Sequence, residues 1–188
     1  HNNLGVVFKE LGELQKSIGY FQKAIEIQPN FAEAHNNLGV VFKKLGELQK
    51  AISCYEKAIL INPNYVDAHN NLGIVLNALG ENRKAKNCYE KAIEINPNYA
   101  KAHHNLGIVL NALGENRKAI NAYEKAIEIN PNFSSAHLNF GVVFEDLGEF
   151  KKAISCYEKA ILINPNYAEA HNNLGIVLNA LGENRKAK

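Results

Sequence analysis

Methionine and tryptophan are absent from this chain of 188 residues, cysteine occurs only three times and proline only five. Without even a first-position Met, the chain is expected to be a piece of something longer. Cys54, Cys88 and Cys156 are too few for a disulfide framework, and an odd number suits a reducing compartment, so a cytoplasmic, intracellular setting is expected. Long apolar runs are missing too: none approaches the roughly 20 residues a membrane helix needs, and no leader-like segment opens the chain. A formal net charge of +2 leaves no strong excess of either sign. Neither nucleic acid nor a membrane is therefore expected as a partner.

What is present is a repeat. His1, His35, His69, His103, His137 and His171 follow one another at a constant step, and Pro29, Pro63, Pro97, Pro131 and Pro165 keep the same step of 34 residues. Between His35 and Pro63 stand Leu38-Gly39, Phe42, Ala51, Tyr55 and Ala58. This pattern resembles the tetratricopeptide (TPR) repeat, with His where Trp usually opens the unit. The resemblance covers the whole chain. It implies an all-α fold, a right-handed solenoid (superhelix) of antiparallel helix pairs, with first helices on the concave face and second helices on the convex face. A single array over 1–188 is expected, with repeats at 1–31, 32–65, 66–99, 100–133 and 134–167 and a partial one at 168–188 that stops a few residues into its second helix.

The residues carry physical reasons for this layout. From Val66 to Leu79, Ala68, Leu72, Val75, Leu76 and Leu79 share one helical face. Gly80 sits where a helix end takes a left-handed residue, and a second helix of about Arg83 to Ile95 turns Ala85, Tyr89, Ala92 and Ile93 inward. Asn96-Pro97 stops it, because proline cannot continue the hydrogen-bond ladder. Gly73, repeated as Gly39, Gly107, Gly141 and Gly175, costs its helix about 1 kcal/mol against Ala, which implies close approach of a neighbouring helix, with Ala85 and Ala92 as the expected partners. Residues 51–86 recur at 153–188 with changes only at Val66/Ala168 and Asp67/Glu169, so the array grew by recent duplication or was built by design. Lys86 breaks the pattern, since Ile18, Ile52, Ile120 and Ile154 hold that offset elsewhere.

Catalytic and metal chemistry find little support. Two imidazoles one repeat apart do not share a zinc with ligands about 2.0–2.1 Å away, so the histidines read as packing residues, with His104 facing the groove. No Ser/His/Asp or Cys/His set stands out from the repeat. Neither cofactor nor metal is expected, and the chain reads as no enzyme. Asn132-Phe133-Ser134 matches a glycosylation tripeptide by chance. The lysine series at Lys50/Lys57, Lys84/Lys91, Lys118/Lys125 and Lys152/Lys159 is interleaved with Glu56, Glu90, Glu124 and Glu158 and lacks stacking aromatics, so it reads as a solvated mixed-charge face rather than a nucleic-acid contact.

Asn3, Asn37, Asn71, Asn105, Asn139 and Asn173 stand two residues after each anchor histidine, even in the divergent His137-Leu138-Asn139-Phe140. Asparagine is a poor helix-interior residue. The series is similar to the asparagine ladder of the TPR superhelix of protein O-GlcNAc transferase. That resemblance implies six carboxamides on the concave wall, hydrogen-bonding the backbone of an extended peptide. A carboxamide offers both donors and an acceptor to a peptide unit. Val6, Val40, Ile74, Ile108, Val142 and Ile176 come three residues later and add an apolar strip; Asn36 and Asn70, directly after their anchors, join the expected contacts. An apolar strip at that offset argues against a carboxylate clamp for chain termini. The expected function is a non-catalytic scaffold holding a protein or peptide segment in its groove. Two alternatives stay open: the substrate-recruiting arm of a larger glycosyltransferase-type enzyme, and an element that stacks end to end through uncapped faces such as Leu174, Val177, Leu178 and Leu181.

Overall fold

The computed structural model describes residues 1–186, the side chains of residues 183–186 excepted. Among them are eleven α-helices and no strand: α1 Asn2–Glu10, α2 Leu14–Ile27, α3 Ala32–Lys44, α4 Leu48–Ile61, α5 Val66–Ala78, α6 Asn82–Ile95, α7 Ala100–Ala112, α8 Asn116–Ile129, α9 Ser134–Asp146, α10 Phe150–Ile163 and α11 Ala168–Lys186. They form two compact units, His1–Pro97 and Asn98–Lys188. Within each unit every helix packs on the next, as expected for a TPR solenoid. First helices also meet directly, α1 with α3 and α3 with α5 in one unit, α7 with α9 in the other. The first helices therefore share one face of each unit.

The turn inside each repeat follows from a single glycine. At the end of α5, Gly80 takes φ +77°, a region closed to most side chains. Its N–H donates to the Asn77 carbonyl (2.9 Å) and the Glu81 N–H to the Leu76 carbonyl (2.9 Å). This pair of bonds satisfies the last carbonyls of the helix and reverses the chain. The turn leaves Leu79, expected on the inward face, 38% exposed as the C-cap residue. At the other end of the repeat, Asn62 accepts the Asn64 N–H (3.1 Å) and Asn130 the Asn132 N–H (3.2 Å), fixing the bend beside the proline.

Second helices bury one large ring each. Phe21, Tyr55, Tyr89, Tyr123 and Tyr157 are all at most 1% exposed. These rings, not Ala85 or Ala92, are what the first-helix glycines accommodate. A Cβ on Gly73 would meet the Tyr89 ring at 2.6 Å, on Gly107 the Tyr123 ring at 2.7 Å, and on Gly141 the Tyr157 ring at 2.5 Å. Ala85 and Ala92 are fully buried, but the nearest atoms to a Cβ on Gly73 all belong to Tyr89. Phe21, Leu38 and Val41 anchor one cluster, joined by Val6, Ile18, Phe42 and Cys54. In the second unit Leu138, Phe144, Tyr157 and Val177 form another. Lys86 is half-buried, like the isoleucines it replaces.

The last repeat departs from expectation. α11 runs through Gly182 to Lys186 instead of turning into a second helix. In complete repeats the reversed chain is held by a helix of 14 residues that buries its ring against the first helix. A Cβ on Gly175 meets nothing within 4 Å among the described residues. Of the apolar face expected to be open there, Leu178 is 50% exposed, whereas Val177 is buried and Leu174 packs on the core.

Candidate functional site

The shared face of the first helices carries the asparagine series. Asn37, Asn71, Asn105, Asn139 and Asn173 are half-buried and Asn3 is exposed. Val40, Ile74, Ile108 and Val142, one turn further on, are half-buried too. Val142 also supports the Tyr157 cluster, and Ile108 packs beside Tyr123, so the apolar strip is partly core. Ile176 is 52% exposed.

The residues directly after the anchors behave differently. Asn36 is 5% and Asn70 3% exposed, as buried as Asn2 and His104. Asn36 and Asn70 are both expected as groove contacts, yet little of either side chain is open to a ligand. Asn2, Asn36 and His104 work as links to the ladder residue of the following repeat. Asn37 Nδ2 donates to Asn2 Oδ1 (3.3 Å), Asn71 Nδ2 to Asn36 Oδ1 (3.0 Å), and Asn139 Nδ2 to His104 Nε2 (3.0 Å). All three pairs are 35 residues apart, one repeat plus one residue. Each bond uses one N–H of the ladder amide and fixes its plane. The Oδ1 atom and second N–H of a carboxamide are what such an arrangement can offer outward. At Leu138 the series of links is interrupted.

His104 is thus a connector, not the groove residue expected. Its ring packs on Phe133 (4.7 Å between centroids) and near Tyr123 (6.0 Å). Burial holds its pKa below the usual histidine value, against smaller opposing hydrogen bonds to Asn105 and the Ser135 backbone. An amide N–H can only donate, so Nε2 must be the unprotonated acceptor for Asn139. His137 is lowered in the same direction, chiefly by burial. Groups whose pKa is depressed by folding stabilise the fold above the unfolded value near 6.5 and lose that contribution as pH falls through the folded value. The melting temperature should fall from pH 7 to pH 5, and His104→Asn, the residue at this offset in Asn36 and Asn70, should flatten the fall. Thermal melts of both proteins across that range check this.

The anchor histidines hold the repeat together in a way the sequence reading missed. His35, His69, His137 and His171 each donate Nε2–H to the carbonyl of the proline six residues earlier, at 3.0, 2.8, 3.0 and 2.9 Å. The constant Pro-x5-His spacing was the available signal. The first helix is thereby clipped to the loop that precedes it. The cysteines are half-buried and burial pushes each thiol up to about 11, so they are thiols, not nucleophilic thiolates. Among the described residues no group of three or more His, Cys, Asp or Glu could hold a metal, and no helix is long and apolar enough to cross a membrane.

The lysine series on the second helices is paired locally. Lys50, Lys84, Lys118 and Lys152 meet Glu47, Glu81, Glu115 and Glu149 one turn back, and Lys91 and Lys125 meet Glu94 and Glu128 (both 2.9 Å). Such exposed pairs add little stability. Lys50 and Lys152 also lie over the rings of Phe42 (5.3 Å) and Phe144 (5.0 Å).

Comparison with known proteins agrees with this architecture. Family profiles described as tetratricopeptide or TPR repeat match residues 5–46, 32–65, 67–132, 122–155 and 143–182. A search of curated protein sequences gives no significant match. Among solved structures, PilF of Pseudomonas aeruginosa superposes with a TM-score of 0.87 at 26% identity, over 98% of this chain and 84% of that one. MamA gives 0.76 at 29% identity, over 88% and 96%. YrrB, described as a TPR protein with an unusual peptide-binding site, gives 0.73 at 26% identity, over 91% and 88%. With repeat profiles running from residue 5 to residue 182 and every complete repeat folded as a glycine-turned helix pair, the chain belongs to the tetratricopeptide repeat family, whose members mediate protein–protein interactions.

Proposed function

We propose that the chain is a non-catalytic scaffold that binds extended peptide segments on the first-helix face of its units, reading their backbone through the asparagine series. The observation that carries this reading is the set of amide links spaced 35 residues apart. A half-buried amide whose plane is fixed by a buried neighbour is pre-organised, which lowers the entropic cost of binding. The 34-residue step repeats the same donor–acceptor pair along the face, suiting a ligand that is itself a periodic backbone. Side-chain tolerance follows, because an amide ladder reads the peptide units all sequences share. YrrB, a structural neighbour described as having a peptide-binding site, makes a peptide ligand a reasonable expectation here. Random-peptide selection on the chain should return peptides without a strict consensus whose binding falls when Asn37 and Asn71 become Ala. Peptides bound equally well by that variant would contradict the reading.

Exposed apolar side chains support a second activity, self-stacking. Leu4 and Val7 on α1 and Leu11, its C-cap, are 47%, 48% and 66% exposed, and Ile176 and Leu178 on α11 are 52% and 50% exposed. Repeat arrays present such faces to neighbouring repeats or to another array. Sedimentation equilibrium should show mass rising with concentration, and Leu11→Lys with Leu178→Lys should abolish the rise. A constant monomer mass up to millimolar concentration would exclude stacking.

A further inference from the structure

The last turns of two first helices, α3 in the first unit and α9 in the second, differ sharply. In the second unit Glu145 and Asp146 close α9, and the Tyr157 hydroxyl donates to Glu145 Oε2 at 2.6 Å, twelve residues back. Asn111 Nδ2 donates to Asp146 Oδ2 at 3.3 Å across α7 and α9. In α1 and α3 of the first unit these register positions hold lysines, Lys9 in α1 and Lys43 and Lys44 in α3. Lys43 stands twelve residues before Tyr55, where Glu145 stands before Tyr157, and Lys9 and Lys44 take the places of Asn111 and Asp146. The fully buried Tyr55 hydroxyl has no hydrogen-bond partner. A buried hydroxyl without a partner costs free energy that an arriving acceptor would recover. The two influences on Lys43, burial first and then Lys44, both disfavour its charge, so its pKa is lowered. The chain's own carboxylates at this end are Glu10, exposed beside Lys9, and Glu13 and Glu47 in the turns, which pair with Lys16 and Lys50.

Resting on the peptide-binding reading above, we propose that Lys9, Lys43, Lys44 and the Tyr55 hydroxyl form a subsite for one acidic side chain of the bound peptide. The ligand carboxylate takes the part that Glu145 plays in the second unit: it accepts the Tyr55 hydroxyl proton once the flexible Lys43 stem swings aside, and it pairs with the lysines. The lysines stand at the ends of α1 and α3, the helices that carry Asn3 and Asn37, so one extended peptide reaches both. It would give a backbone-reading groove a single side-chain preference and a fixed register. The second unit, which fills the position with its own carboxylate, would lack that preference.

The test uses a random 12-residue library displayed as internal segments, so that no terminal carboxylate competes. Enriched sequences are then made as synthetic peptides amidated at the C-terminus, each with an Asp/Glu to Asn/Gln counterpart. Peptides enriched on the intact chain should carry Asp or Glu at one constant position. Lys43→Gln with Lys44→Gln should weaken the acidic peptide on the order of tenfold and leave the amide counterpart unchanged. Tyr55→Phe should weaken the same peptide several-fold without lowering the melting temperature. Lys43→Glu, which supplies the carboxylate within the chain, should raise the melting temperature and remove the acid preference. Peptides that depend on Asn37 and Asn71 but show no acidic position, or ignore the lysine replacements, would overturn the subsite and leave the groove reading standing. A selection that returns no peptide dependent on those asparagines would overturn both.

Discussion

Gly73→Ala and Gly107→Ala should each lower stability by about 1–2 kcal/mol, although alanine is the better helix former by about 1 kcal/mol. The added methyl would lie 2.6 Å from the Tyr89 ring and 2.7 Å from the Tyr123 ring. Neither ring can swing out, because both are at most 1% exposed in the interior of the helix pair. Overpacking of this kind costs about 1–3 kcal/mol, and overlaps this deep belong to the upper part of that range. Gly175→Ala supplies the internal control: the same residue in the same sequence context, with nothing within 4 Å of the new Cβ. It should be neutral or slightly stabilising. Urea midpoints of the three variants check this, with the understanding that a repeat array unfolds as coupled units rather than as one block. Equal effects at all three positions would show that propensity, not ring packing, explains the glycines.

The repeat made the helix pairs, the Gly80 turn and the tyrosine stripe legible, because periodicity reports which positions are equivalent. It does not report which equivalent positions touch. The partner of Gly73 was therefore misassigned to Ala85 and Ala92, both small and both buried, when the real neighbour is the ring of Tyr89. The same gap affected Asn36, whose amide meets Asn71 of the following repeat. One residue along a helix is about 100° of rotation, enough to carry a side chain from the open face into the junction with the next repeat. Only the approach of that repeat decides which side is covered. Composition carried the wrong hint, since asparagine is seldom buried; here the burial is offset by the bond each connector makes. His104 stands in the same junction for the same reason, and its replacement of Asn preserves an acceptor for Asn139.

Removing the ladder should have the largest effect on binding. Four neutral amide contacts at about 0.5–1.5 kcal/mol each make the replacement of Asn37, Asn71, Asn105 and Asn139 by Ala worth about 2–6 kcal/mol, a loss of affinity of about thirtyfold or more. From sequence alone the melting temperature of that variant should be unchanged or slightly raised, since Ala favours the helix. The amide links reverse that expectation. Buried Asn2, Asn36 and His104 would each lose a partner, and an unsatisfied buried group costs about 1–3 kcal/mol. The quadruple variant should melt lower, confounding binding with stability.

The paired replacements avoid this. Asn36→Leu with Asn71→Ala, and His104→Leu with Asn139→Ala, remove both ends of a link, and the chain already carries a buried leucine at this offset in Leu138. Exchanging both partners of a bond for apolar groups is close to neutral for stability. His104 also gives up its bonds to Asn105 and the Ser135 backbone, and Asn36 its bond to the half-buried Tyr65, so each pair is compared with its own single replacement. The decisive measurement is the affinity of a peptide selected on the intact chain for the four-substitution variant, with the melting temperature recorded alongside. An unchanged melt with affinity reduced by about 1–3 kcal/mol, roughly five- to 150-fold, is the predicted result; an unchanged melt with unchanged affinity would contradict the asparagine series as the binding element.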